Sequence, residues 1–162
     1  MVPYIKIFKK LNKAKIRYLV AGGVAVNLHQ INRGTVDLDL IVHLEQKNTL
    51  GFVKVMSQLG LVPKVPVDPK EFANEISREK WIKEKGMIVF SFLNPDNPLE
   101  LVDIFVREPM PFQKLYKGRK NVKAFNIIIP VLGILDLIKL KEAAGRDKDL
   151  FDIKILKKMI KE

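Results

Sequence analysis

The chain of 162 residues is 48% hydrophobic and 29% charged, which fits one globular domain with a hydrophobic core of its own. The absence of cysteine excludes disulfides and thiolate metal sites. No apolar run reaches the roughly 18 residues of a membrane span, and the first residues do not resemble a signal peptide. We therefore expect a cytoplasmic protein with no membrane partner.

The net charge of +11 favours an anionic partner, and nucleotide or RNA fits it better than a membrane surface. The alternative is a lysine-rich surface of the kind found in heat-adapted proteins, which needs no ligand. Composition alone leaves both interpretations open.

The first sixty residues alternate between helix and strand patterns. Apolar residues at helical spacing predict helices, and short apolar runs predict strands. In chain order, the predicted elements are a helix at 4–15, a strand at 18–21, a helix at 24–30, a strand at 36–42 and a helix at 45–59 that stops at Gly60.

The second part begins with a proline-rich loop at 63–69 and a helix at 71–85. Strands at 87–93 and 99–106 form a hairpin, because strong turn chemistry lies between them. A strand at 122–129 precedes a long helix that Pro130 opens and Gly145 interrupts. The predicted fold class is α+β (mixed α/β), a small mixed sheet flanked by helices. It forms a single domain over 1–162, with a C-terminal helical segment from about 130.

Asp37 and Asp39 occupy alternate positions of the apolar run at 36–42. Residues two apart on a strand point to the same face, so these carboxylates project side by side, about 7 Å apart at Cα. Two such carboxylates raise one another's pKa, and a divalent cation removes the conflict. Hard oxygen ligands favour Mg²⁺, which binds through one or two carboxylates and substrate phosphates. The pattern therefore predicts a metal site for a nucleotide.

A two-metal phosphoryl-transfer site usually needs a third carboxylate. Glu100 and Asp103 are the candidates, and their odd separation places them on opposite faces of one strand. Asp103 is favoured because apolar residues flank it on both sides, whereas Glu100 lies near the hairpin turn.

Phosphate contacts are predicted at Gly22 and Gly23, where a strand passes into a helix. Glycine permits close approach of a ligand to the backbone, and the helix N-terminus offers free N–H groups. The alternative is an ordinary tight turn. Arg33 could bind triphosphate oxygens through its guanidinium or be a surface loop arginine, and Thr35 is a weaker candidate.

Polar residues cluster again from Lys141 to Asp152, with Arg146 and Asp149 between them. From the residues alone, a helix end followed by an N-capped second helix accounts for this cluster, although Lys141 or Arg146 could also lie over the phosphates. Separate basic blocks at 6–17 and 114–123 could track an RNA backbone or be solvated surface.

With these residues in view, the chain resembles the minimal nucleotidyltransferases of the DNA polymerase beta superfamily. It is most similar to the abortive-infection-type nucleotidyltransferase toxins. The likeness runs from Tyr18 to Asp152 and rests on the following residues: Gly22-Gly23, Asp37-Leu38-Asp39, Asp103, Lys141, Arg146, Asp149 and Asp152.

The resemblance implies transfer of an NMP from an NTP to an acceptor hydroxyl, with release of pyrophosphate. Asp37, Asp39 and Asp103 would be the catalytic residues and would bind Mg²⁺ or Mn²⁺, and Asp103 could also take the acceptor's proton. The nucleotide-binding residues implied are Gly22, Gly23, Arg33, Thr35, Lys141, Arg146 and Asp149.

The acceptor is predicted from the charge of the chain, and the protein partner from the family resemblance. Because of the positive charge, RNA, in particular a tRNA end, is the favoured acceptor, and a protein hydroxyl is the next choice. The toxin relatives imply a cognate antitoxin. The alternative function is a nucleotide- or RNA-binding module that has the same fold without turnover.

Overall fold

The computed structural model describes residues 2–31, 34, 35 and 37–161. The strands in this part of the chain are β1 (Tyr18–Ala21), β2 (Leu38–Val42), β3 (Val62–Pro63), β4 (Val89–Asn94), β5 (Asn97–Phe105), β6 (Lys120–Ala124) and β7 (Ile127–Val131). They form one mixed sheet in the order β3-β4-β5-β2-β1-β7-β6. β2 runs antiparallel to β1 and parallel to β5, so it lies at the centre of the sheet.

Helices flank this sheet, which confirms the predicted α+β class. The α-helices of the described residues are α1 (Val2–Lys13), α2 (Gly22–Leu28), α3 (Gln46–Gln58), α4 (Glu75–Lys85), α5 (Phe112–Lys117), α6 (Ile134–Ala144) and α7 (Asp147–Lys161). None of these helices is long and apolar enough to cross a membrane. Gly145 ends α6 in the left-handed conformation, at φ 63°, which confirms the predicted break between the last two helices.

One predicted strand is wrong, because the segment 122–129 contains two strands and a turn. β6 and β7 pair as an antiparallel hairpin, and Phe125 and Asn126 form its two-residue turn at φ 53° and 64°. Two-residue hairpin turns need positive φ, for which glycine is the usual sequence signal. Since this turn contains no glycine, the apolar run through it looked continuous.

Pro130 does not open a helix; it lies within β7, and α6 begins at Ile134. A proline has no N–H to donate to a strand ladder. The register pairs β7 with β1 at Val131 and Val20, beyond the proline. The missing donor at Pro130 therefore leaves that pairing intact.

Three further differences between the predicted and the observed elements concern short segments. β3 was not predicted and overlaps the predicted loop at 63–69 only at Pro63, and α5 was not predicted either. The helix predicted over 71–85 is divided into a 3-10 turn at Pro69–Ala73 and α4. The division occurs because the Asn74 side chain accepts hydrogen bonds from Ile76 N and Ser77 N and so caps α4.

The hydrophobic core covers one face of β2, β5 and β4. Leu38 and Leu40 lie level with Val102 and Ile104 on the neighbouring strand, and all four are fully buried. Rings from β4 continue this face and pack against rings from α3, the 3-10 turn and α4: Phe52, Phe72, Trp81, Phe90 and Phe92. Side chains alternate between the faces of a strand, so the residues between these core positions point to the opposite face.

We predict that Phe92→Ala lowers the free energy of unfolding by about 3–5 kcal/mol, because it removes a ring that is fully buried among Phe52, Phe72 and Phe90. The matched control is Phe151→Ala, whose ring is 64% exposed on α7 and whose loss is expected to change stability by about 0.5 kcal/mol or less. Urea denaturation measures both. Equal losses in the two variants would contradict the described core.

Candidate active site

Asp39 and Asp103 are neighbours across two parallel strands. The β2–β5 register sets Asp39 directly beside Asp103. Each aspartate is flanked by fully buried apolar residues that face the core, so both carboxylates point to the opposite face of the sheet. Two acidic side chains from distant parts of the chain are thereby brought together.

Asp37 lies one residue before β2 and is exposed. Its negative charge is among the causes that raise the pKa of Asp39 and the pKa of Asp103. Coulombic effects of this kind require short separations. Asp37 therefore lies near enough to Asp39 and Asp103 for its charge to act on both.

The environment of Asp39 and Asp103 disfavours their negative charges. Burial raises the pKa of Asp39 to about 7, and the charges of Asp103 and Asp37 add to the effect. Burial also raises the pKa of Asp103, whereas a hydrogen bond from Ser91 acts against that rise. A bound cation would relieve this unfavourable effect, because a positive charge nearby stabilises ionised carboxylates.

The donor set fits a hard cation, since it consists of carboxylate oxygens on neighbouring strands. Among the residues that the structure describes, however, no three acidic or histidine side chains are already grouped as a metal site. Asp37, Asp39 and Asp103 are the residues that would hold such a cation.

Gly22 lies directly against Asp39. It opens α2 at φ 62°, and a Cβ placed on it would overlap the Oδ2 atom of Asp39. Ala21, the last residue of β1, is paired with Asp39 across the strands. The backbone of Gly22 thus lies against the Asp39 carboxylate, at a position where any side chain would displace that carboxylate. Gly23 follows it as a buried residue of α2.

The loop before β2 is described only in part. Arg33, a predicted phosphate ligand, lies outside the described residues, as does Val36. The Thr35 hydroxyl donates to the backbone carbonyl of Asp37 over 3.4 Å. This bond links Thr35 to the segment that carries the first carboxylate.

Lys141, Asp149 and Asp152 form a buried ionic cluster between α6 and α7. The Lys141 Nζ atom lies 2.9 Å from Asp152 Oδ2 and 3.6 Å from Asp149 Oδ1. All three side chains are almost fully buried. Removing one partner from a buried ion pair leaves an uncompensated charge, so this cluster fixes the two helices against each other.

Arg146 belongs to the same segment but faces solvent. Its Nε donates to Asp149 Oδ2 over 2.7 Å while its side chain remains 61% exposed. The positive charges of Lys148 and Arg146 oppose the rise in the pKa of Asp39. Two positive charges at the junction of α6 and α7 therefore act on the Asp39 carboxylate.

Sequence reasoning missed several residues around the carboxylates. Ser91 Oγ donates to Asp103 Oδ1 over 2.5 Å, and the charge of Lys64 opposes the rise in the pKa of Asp103. Burial raises the pKa of Tyr4 to about 12, with added effects from Asp37, Glu100, Asp39 and Asp103. The sequence signal for Ser91 is its place between two core rings, which puts its hydroxyl on the face opposite to theirs.

The basic block at 114–123 spans α5 and β6, which is an edge strand of the sheet. The Arg119 guanidinium lies 3.8 Å from the centroid of the Tyr116 ring and donates to the Tyr116 carbonyl. Lys117, Lys120 and Lys123 are exposed. This block is a positively charged surface that is accessible to an anionic molecule.

We predict that, without metal, the ionisation of Asp39 lowers the stability of the protein as the pH rises from about 4 to about 7. Asp39 has a pKa of about 7 in the folded state and 3.8 as its ordinary value. The folded state therefore holds more protons in this interval, and stability decreases as they dissociate. In Asp39→Asn the decrease should be smaller. Urea denaturation at several pH values with a chelator measures it, and equal pH dependence in both proteins would contradict the described environment.

We predict that Gly22→Ala abolishes metal-induced stabilisation, because its methyl group would displace the Asp39 carboxylate. Gly86→Ala is the matched control: Gly86 has φ 60° but nothing lies within 4 Å of its Cβ position. Gly86→Ala should lose roughly 1 kcal/mol of stability through left-handed backbone strain, and Gly22→Ala at least as much. Only Gly22→Ala should lose the shift in melting temperature on adding Mn²⁺. A normal shift in Gly22→Ala would show that its backbone does not confine Asp39.

Similar solved structures were found for nearly the whole chain. A candidate nucleotidyltransferase from Thermotoga maritima is 16% identical with a TM-score of 0.61, over 98% of this chain and 91% of its own. The lincosamide antibiotic adenylyltransferase LnuA with lincomycin bound is 15% identical with a TM-score of 0.62, over 94% and 93%. The antibiotic-resistance factor ANT(2'')-Ia is 13% identical with a TM-score of 0.64, over 96% and 81%.

No protein-family model and no curated protein sequence matches the chain. The similarity therefore rests on three-dimensional structure, with identities of 16% or less among these three neighbours. All three neighbours are nucleotidyltransferases. The chain has the nucleotidyltransferase fold, which confirms the fold implied by its sequence resemblance.

Proposed function

We propose that this protein is a Mg²⁺-dependent nucleotidyltransferase that moves an NMP from an NTP to a hydroxyl acceptor. The observation that carries the proposal is the register of β2 and β5, which sets Asp39 beside Asp103, with Gly22 against Asp39. The similar solved structures include adenylyltransferases of antibiotics. They support the same class of reaction for this fold.

Asp37, Asp39 and Asp103 are the proposed catalytic residues and would hold Mg²⁺, or Mn²⁺ in its place. When bound, the metal neutralises charge on the phosphates and orients them for in-line displacement. The acceptor oxygen forms a bond to the α-phosphorus as the bond to the bridging oxygen of pyrophosphate breaks. Asp103 takes the proton of the acceptor hydroxyl, a role that suits a carboxylate whose pKa is raised by burial.

The triphosphate would lie between the carboxylates and the basic groups around them. We propose that Gly22 and Gly23 approach the β- and γ-phosphates through their backbone, with Arg33 and Thr35 from the following loop. Arg146 is the proposed ligand from the C-terminal helices, because it is exposed and its charge reaches Asp39. Lys148 shares that location and is exposed.

Lys141 and Asp149 have a different proposed part in nucleotide binding. Both are buried, and each is already paired within the ionic cluster. Asp149 accepts from the Arg146 side chain and also from its backbone N–H over 3.2 Å. Lys141 and Asp149 therefore act on the nucleotide by holding Arg146 in place.

The proposed acceptor is RNA, with a tRNA end favoured. The net charge of +11 and the exposed lysines of β6 support this choice. A protein hydroxyl is the second candidate acceptor. We also propose that the protein acts as the toxin of a toxin–antitoxin pair, with a cognate antitoxin as partner; the family resemblance of the sequence is its support.

We predict that the protein transfers label from a labelled NTP to RNA, and that Asp37→Ala/Asp39→Ala lowers the transfer by at least about 100-fold, as expected when metal-held phosphates lose their ligands. The assay contains Mg²⁺, each NTP in turn and total cellular RNA, with a protein extract and hydroxylated antibiotics as separate acceptors. Asp96→Ala is the matched control, since Asp96 is an exposed carboxylate in the β4–β5 turn.

Transfer that requires Asp37 and Asp39 but not Asp96 would establish the reaction and name the nucleotide and the acceptor class. Mg²⁺-dependent NTP binding without transfer to any acceptor would instead favour the alternative of a non-catalytic nucleotide-binding module. RNA binding that is unaffected by the double substitution and needs no NTP would favour an RNA-binding module.

A further inference from the structure

Ser91 makes a close polar contact with the candidate site that the proposed reaction does not yet use. Its hydroxyl donates to Asp103 Oδ1 over 2.5 Å. Hydrogen bonds from a hydroxyl to a carboxylate are among the short, strong ones in proteins. Both residues are half-buried, so the contact is partly shielded from water.

The backbone places Ser91 against Asp103 independently of their side chains. In the antiparallel β4–β5 pair, Ser91 is directly opposite Asp103, and opposed side chains share one face at close range. On the other side of β4, the Ser91 carbonyl accepts from Lys64 N over 2.9 Å. Ser91 thus lies opposite Asp103 on one side of β4 and is hydrogen-bonded through its carbonyl on the other, so the sheet sets the position from which its hydroxyl extends.

Apart from Asp103, the neighbours of Ser91 on the same face of the sheet are apolar, so its hydroxyl is a polar group among apolar side chains. Val89 and Leu93 precede and follow it on the same side of β4, and Leu101 and Phe105 flank Asp103 on β5. An apolar residue at position 91 would suit this surface and a strand better than serine does. The polar side chain occurs at the position that faces the third carboxylate.

We propose that Ser91 is a positioning residue for Asp103. By holding Oδ1, the Ser91 hydroxyl fixes the carboxylate plane and leaves Oδ2 for a cation or the acceptor's proton. Gly22 confines Asp39 from the other side of the site, so each of the two paired carboxylates is restrained by a residue of an adjoining strand or turn. This inference rests on the proposed function, since it takes Asp103 as a metal ligand.

The test measures Mn²⁺ binding to the purified protein without nucleotide, by electron paramagnetic resonance of the free ion. The variants are Ser91→Ala, Ser91→Thr, Asp103→Ala and Ser91→Ala/Asp103→Ala, with Ser57→Ala as control because Ser57 is exposed on α3. Urea denaturation of each variant checks that it is folded. Ser91→Thr keeps the hydroxyl and serves as the conservative replacement.

We expect Ser91→Ala to weaken Mn²⁺ binding by about 10-fold, the lower end of the effect of residues that orient metal ligands. Ser91→Thr should retain most of the affinity. In the Asp103→Ala background, Ser91→Ala should have no further effect, because its action passes through that carboxylate. In the transfer assay, Ser91→Ala should lower kcat and leave the KM for NTP nearly unchanged.

Three results would overturn the inference. If Asp103→Ala loses affinity but Ser91→Ala binds Mn²⁺ like the unaltered protein, Ser91 does not position the ligand, and the proposed function stands. If Asp103→Ala itself binds Mn²⁺ normally, the proposed metal site is wrong and the role of Ser91 fails with it. Additive losses of affinity in the double variant would likewise show that Ser91 acts on Mn²⁺ binding independently of Asp103.

Discussion

The register between β2 and β5 is the constraint on which the site depends. It sets Asp39 beside Asp103, although their negative charges repel and burial raises the pKa of each. A slip of one residue would turn every side chain of a strand to the other face. The register cannot slip here, because Leu40 and Ile104 would leave the core on the opposite face. Hydrophobic packing on one side thus maintains an unfavourable charge cluster on the other.

Residues of the surrounding elements contact the two carboxylates or oppose their charge. The Gly22 backbone confines Asp39, the Ser91 hydroxyl donates to Asp103, and the charges of Arg146 and Lys148 act on Asp39 from the C-terminal helices. The buried pairing of Lys141 with Asp149 and Asp152 fixes those helices. The site therefore combines residues from both ends of the chain, which explains why the resemblance extends over so much of the sequence.

Local patterns in the sequence predicted the parts of the site that lie close together in the chain. The alternation of Asp37 and Asp39 with apolar residues indicated a strand with an acidic face, and the apolar neighbours of Asp103 favoured it over Glu100. The contact of Ser91 with Asp103 depends on pairing between strands, which no local pattern encodes. The β6–β7 turn was missed because Phe125 occupies a left-handed position that usually belongs to glycine. The burial of Lys141 was equally invisible, since its partners lie on the next helix.

The central claim is that the three carboxylates and Gly22 form a site for a metal-bound triphosphate. A crystal structure with Mn²⁺ and a non-hydrolysable NTP analogue, using the anomalous signal of manganese, tests it most directly. The account predicts manganese between Asp37, Asp39 and Asp103, with the β- and γ-phosphates against the backbone of Gly22 and Gly23. Manganese bound elsewhere, or a triphosphate that contacts only the exposed lysines of β6, would contradict it.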